Sequence, residues 1–171
     1  MKLSTHSSGF TLAELLICMA ILGVIATFTI PKIVQAQQNQ TYTAEAKDAM
    51  AAVAGAYQVY RLQNAASTNT TFGDVTPYMN YVSADNSLWI DDVTSFGAWS
   101  CASFPCLHLH SGGVLAYEPA SFGADDFIRF WYDPDGVYSG TTNGPGKSLS
   151  FILYTNGRMP QVFSTPSWFQ W

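Results

Sequence analysis

The chain has 171 residues, 48% hydrophobic and 15% aromatic but only 11% charged, which leaves room for one membrane-anchored helix and one modest domain. From Ala65 onward nine acids face three bases (Arg129, Lys147, Arg158), a net charge of −6. That balance argues against a nucleic-acid-binding head, which needs a basic patch, and the aromatic content predicts a surface partly buried against copies of itself or partners, beside an ordinary aromatic core.

In chain order, Met1–Gly9 is short and polar, and Phe10–Ile30 is an apolar run of about 20 residues, long enough to span a bilayer. One acid, Glu14, interrupts the run. A carboxylate within a membrane segment costs roughly 2.5–3.5 kcal/mol on insertion scales, so it is read as functional and needs a partner. Just upstream, Ser7-Ser8-Gly9-Phe10 places a small residue before an aromatic, a plausible processing point. A cut there gives Phe10 a free amine one helical turn from Glu14. Lys2 and Val34-Gln35-Ala36 could pass for the basic start and cleavage site of a secretory signal, but a signal core is shorter than this run and carries no acid.

The octad Gly9-Phe10-Thr11-Leu12-Ala13-Glu14-Leu15-Leu16 resembles the prepilin signature of type IV pilins and type II secretion pseudopilins. The resemblance is close over roughly the first 35 residues and looser beyond. It implies that the leader Met1–Gly9 is removed by a prepilin peptidase, that Phe10 is N-methylated and that Glu14 serves assembly. It also implies a bacterial inner-membrane protein, single-pass with its head outside the cytoplasm, that later enters a periplasmic or extracellular filament. The implied partners are other pilins or pseudopilins, the peptidase, an inner-membrane assembly platform and membrane lipid.

Past the run, Lys32–Val53 is rich in Ala and Gln, both good helix formers. Tyr42, Ala46, Met50, Val53, Tyr57 and Tyr60 recur at helical spacing and mark one apolar face. One helix is expected from Phe10 to Leu62, roughly 80 Å long at 1.5 Å per residue. Pro31 should bend it, since proline removes a backbone donor, and Gly23 is a second weak point. The expected divisions are a leader (1–9), a transmembrane and assembly helix (10–31), its amphipathic continuation (32–64) and a globular head (65–171).

Asn64–Thr71 reads as a polar linker and Val75–Val82 as a short helix. Leu107–Tyr117 around Ser111-Gly112-Gly113 reads as a hairpin. Phe127–Tyr132 and Leu149–Tyr154 read as strands, and Thr155-Asn156-Gly157 as a turn into Met159–Phe163. The expected fold is α+β and type IV pilin-like: a long N-terminal helix packed on an antiparallel sheet of four or five strands.

Chemistry-bearing residues are few. Cys18 lies in the apolar run as a small filler. Cys101 and Cys106 bracket a short loop, and an exported head favours a disulfide between them. His108 and His110 follow, yet Cys-x4-Cys-x-His-x-His is not a usual structural zinc spacing. Asp133-Pro-Asp135-Gly136 could open a calcium loop or form a plain Pro-Asp-Gly turn. With Gly144-Pro-Gly-Lys147, the strand after it, Thr155-Asn-Gly-Arg158 and Pro160, it resembles the C-terminal region of many pseudopilin-like proteins, of which the major pseudopilins bind calcium in a loop of this region. The insert Val137–Asn143 departs from that pattern, as do Asp135 and Gly146 where Asn is common. Asp91-Asp92 and Asp125-Asp126 are adjacent, so in extended chain they point to opposite faces and make poor acid/base pairs. No catalytic constellation appears, so no enzyme is expected. The aromatic tail Ser167–Trp171 reads as docked on its own domain or as a binding surface. The expected function is a structural filament subunit. Its rival is a membrane-anchored ligand- or calcium-binding protein that never polymerises.

Overall fold

The computed structural model describes residues 9–85, 87, 89–90, 99–123, 126–136, 148–159, 162–164, 166 and 168–169. Residues 1–8 of the leader, Asp91-Asp92, Asp125, the 137–147 segment, Pro160 and tail residues 167 and 170–171 lie outside the described residues. The chain falls into two compact units, Met1–Gln38 and Asn39–Trp171.

Helix α1 runs unbroken from Leu12 to Gln63, 52 residues with Pro31 inside it. In the first unit it is apolar all round, with Leu12, Leu16, Ile21, Val24 and Phe28 exposed. By length and composition it can cross a membrane. Its threonines do not spoil that. The Thr27 hydroxyl donates to the Gly23 carbonyl at 2.8 Å and that of Thr29 to the Ile25 carbonyl at 2.9 Å, so each is satisfied within the helix.

In the second unit the helix buries Ala46, Ala49, Val53, Ala56 and Tyr57, a face set by steps of three and four residues. Tyr42, Met50 and Tyr60 of the expected face lie at its margins, half-buried. The face packs against one side of an antiparallel sheet of order β1-β4-β5-β6-β7-β8. Five of these strands have three or more residues: β4 (Cys106–His108), β5 (Val114–Tyr117), β6 (Phe127–Asp133), β7 (Leu149–Tyr154) and β8 (Val162–Ser164). A two-residue edge, β1 (Ser83–Ala84), adds to β4, and β2 (Trp89–Ile90) pairs separately with β3 (Trp99–Ser100).

Strand register sorts the side chains. Leu107, Leu115, Tyr132 and Leu149 form one row across the sheet on the helix side. Cys106, Ala116, Trp131 and Ser150 form the next row on the opposite side, because neighbours along a strand alternate faces. The helix side holds the main core. The far side carries a smaller cluster of Cys101, Cys106, Val114, Ala116 and Trp131, with Phe104 laid edge-on to Trp131 at 5.5 Å.

Three expectations need correction. The short helix begins earlier than Val75. Helix α2 is Phe72–Val75 and continues as a 3-10 turn, Thr76–Tyr78. Its start is set by Asp74, whose Oδ2 accepts from the Thr71 N–H and hydroxyl at 2.9 Å each. The 64–71 stretch is not a free linker, since Thr70 is buried and its carbonyl accepts from the Phe122 N–H at 3.1 Å. The last strand is described at Val162–Ser164, one residue beyond the expected Phe163, and Met159 lies before it, where the Tyr154 N–H bonds to the Arg158 carbonyl at 3.0 Å and extends the turn. In the β4–β5 hairpin, Gly113 is required by packing, as a Cβ there would lie 2.7 Å from Cε2 of the buried Tyr132 ring.

Candidate functional site

The N-terminal end of α1 holds the residues on which the expected function turns. Gly9 and Phe10 precede the helix in extended or irregular chain, and Phe10 is 85% exposed. Glu14 sits in the first turn. Its Oε2 accepts from the Thr11 N–H at 2.8 Å and from the Thr11 hydroxyl at 2.7 Å, while the Glu14 N–H reaches the Thr11 Oγ1 at 3.3 Å. This is a capping box, in which an acid three residues into a helix satisfies donors that the first turn leaves open. Both bonds use one oxygen, and among the described residues Oε1 has no partner. Thr11 therefore belongs to the site. The pattern Thr-x-x-Glu before an apolar run announces it in the sequence.

Residues 4–30 match the family model described as the prokaryotic N-terminal methylation motif. The chain carries a prepilin-type methylation motif. A 68-residue stretch is 35% identical to the type II secretion system core protein G of Pseudomonas aeruginosa (strain PAO1), covering 40% of this chain and 47% of that protein. The chain thus spans about half the length of the curated relative it matches. No solved structure matches the chain.

The other predicted sites lie in the head. Cys101 and Cys106 are disulfide-bonded, with Cα atoms 5.5 Å apart, and cover the far side of the sheet. Their sulfurs are then not thiolates, which removes half of any Cys/His zinc set. His110 Nε2 lies 3.1 Å from Asn80 Oδ1 in the hairpin turn, while His108 is on β4. Among the described residues the histidines are not brought to a common partner.

Asp133 ends β6 and is fully buried, whereas Asp135 is exposed. The Gly136 N–H donates to Asp133 Oδ1 at 3.3 Å, and Gly136 adopts φ 61°, so the carboxylate closes a Pro-Asp-Gly turn from three residues back. Burial raises the Tyr42 phenol above its usual range, and Asp135, Glu45 and Asp133 add to the rise. These acids thus share one neighbourhood, but no three acids, histidines or cysteines converge to metal-ligand geometry among the described residues. Calcium wants six to eight oxygens, and the 137–147 segment that follows Asp133 and Asp135 lies outside the described residues.

The tail is docked. Trp168 and Phe169 are 1% and 7% exposed and belong to the main core.

Proposed function

We propose that the chain is a structural subunit, a pilin or pseudopilin, of a type IV pilus or type II secretion-type filament. The observation that carries this reading is the methylation motif at residues 4–30, placed where Glu14 opens a long apolar helix. The similarity to a type II secretion core protein supports it. On this reading the chain is held in the inner membrane by α1, with its head outside the cytoplasm. A prepilin peptidase cuts Gly9–Phe10 and methylates the new Phe10 amine. Subunits then leave the lipid at an assembly platform and stack by their helices.

Glu14 suits this role in two states. Before the cut, Thr11 occupies Oε2, so the carboxylate is satisfied within the chain. After the cut, a neighbour's Phe10 amine can take Oε1 without breaking the capping box. A buried charge left unpaired costs several kcal/mol, so the pairing favours the register in which each amine meets an acid.

Intact mass and N-terminal sequencing of the protein from its host test this. The expected product starts at Phe10 and carries one added methyl. A chain that keeps residues 1–9, in a host with an active peptidase, would leave only a tethered domain. We assign Asp133 to the turn rather than to calcium. Added calcium and added chelator are accordingly expected to give the same thermal midpoint. A midpoint raised by calcium, and no longer raised in Asp133→Asn, would restore the metal.

A further inference from the structure

From Phe10 to Ala44 the charged side chains are Glu14 and Lys32 alone. Both belong to the first compact unit, Met1–Gln38, and both are exposed on α1. Lys32 follows Glu14 by 18 positions, which at 3.6 residues per turn is about five whole turns. The two therefore lie on one line along the helix, opposite in sign and roughly 27 Å apart at 1.5 Å per residue. Ile21, Ile25 and Phe28 lie between them on the same side, 55%, 53% and 69% exposed.

Neither charge is used up inside the chain. Glu14 Oε2 accepts both Thr11 bonds, which leaves Oε1 with its two lone-pair sites. The Phe10 amine of a neighbour needs one of them. Lys32 brings three donors and no acceptor, and among the described residues its Nζ has no hydrogen-bond or ion-pair partner. With the apolar run in lipid, Lys32 comes to the membrane interface, where long basic side chains reach headgroups and water. Packing helix against helix removes that relief. Phe28, Ile30, Ile33 and Val34 around Lys32 are each at least 46% exposed, and a neighbour that covers them covers the ammonium as well. A buried charge left unpaired costs several kcal/mol.

The spacing then selects the arrangement. Two parallel copies packed level along this face set acid beside acid and lysine beside lysine, and like charges repel. A shift of about five turns brings Glu14 of one copy level with Lys32 of the other.

We propose that Lys32 is a second counter-charge for Glu14, supplied by another copy of the chain shifted by about five turns along the helix. The pairing rests on the filament reading and makes each acid a junction of three chains. Its Oε1 takes the Phe10 amine of one neighbour and the Lys32 ammonium of another.

Sheared filaments and the membranes left behind test it, with Lys32→Glu and Lys32→Arg beside the unaltered chain. Lys32→Glu should reach membranes in normal amount and fall about tenfold or more in the sheared fraction, because two acids then meet where one pair is needed. Lys32→Arg keeps the charge and should stay within about twofold of the unaltered chain in both fractions. A carbodiimide, which joins a carboxylate to an amine in contact with it, should couple Glu14 to Lys32 in filaments of the unaltered chain, as read by peptide mass spectrometry. The roughly 27 Å between the two residues within one helix makes any such bond a bond between copies. Normal filaments from Lys32→Glu overturn the pairing and leave the filament reading standing. Loss of Lys32→Glu from membranes as well also overturns it, since Lys32 is then a lipid anchor only, and so does coupling of Glu14 to the Phe10 amine alone. An unaltered chain that yields no filaments defeats the filament reading itself, and the pairing with it.

Discussion

Glu14→Leu is expected to abolish filament formation while the protein still reaches the membrane in normal amount. Insertion should not suffer, because the substitution removes a carboxylate that costs roughly 2.5–3.5 kcal/mol in the apolar phase. What is lost is the acid for the Phe10 amine and, with it, the acceptor of the two Thr11 bonds. The cap alone contributes about 1 kcal/mol to the helix, enough to fray its first turn but too little to stop assembly. Glu14→Gln separates the two roles, since an amide oxygen can still accept from Thr11 but carries no charge. The charge-pair reading expects both variants to be absent from sheared filaments and present in membranes, on immunoblots of the two fractions. Normal filaments from Glu14→Leu would sink the reading, and normal filaments from Glu14→Gln alone would move the role from charge to capping.

Phe130→Ala should destabilise the head by about 3–5 kcal/mol, the usual range for emptying a large aromatic site. Phe130 is fully buried at the centre of β6. Its ring stacks on Phe151 of β7 at 5.2 Å, meets Phe72 of α2 edge-on at 4.6 Å, and approaches Tyr117 of β5 at 6.5 Å. One side chain thus joins the middle strands to the helical crossing that precedes them. Against a typical total of about 5–15 kcal/mol, such a loss consumes much of the head's stability. Urea unfolding followed by tryptophan fluorescence measures it. Phe127→Ala is the control on the same strand: that ring is only half-buried, packed on Tyr154 at 5.9 Å, and should cost less than about 1 kcal/mol. Equal losses from the two would mean that the central ring cluster is not what holds the sheet to α2.

The long helix and the middle strands were legible because their signals are periodic. Leu149–Tyr154 falls where alternation placed it, and α1 ends within a residue of the expected point. Strands β1, β2 and β3 have two residues each, too few for a period to register, and depend on partners distant in sequence. The start of α2 was written in Thr71-Phe-Gly-Asp74, and the role of Thr11 in Thr11-Leu-Ala-Glu14, but the apolar periodicity around each drew attention instead. The disulfide was legible from compartment and spacing. The docking of Trp168 on Tyr42 was not, because nothing local tells an aromatic tail which surface it will meet. Pro31 lies inside the helix, as its place in the sequence indicated.

The order of strands in the sheet bears on how the protein is made. From β4 to β8 every hydrogen-bonded neighbour is also the next strand in the chain, so each pairing closes a short or moderate loop and can form soon after its second strand emerges. The helix is placed the other way round. It is synthesised first, yet the core it joins is completed by side chains that run from Phe72 of α2 to Phe169 of the tail. During synthesis that face therefore gains its cover piece by piece, from α2 through the last strands. On the filament reading, a chain built this way is safest when its helix is already parked in lipid and its head is completed on the other side before any second subunit arrives.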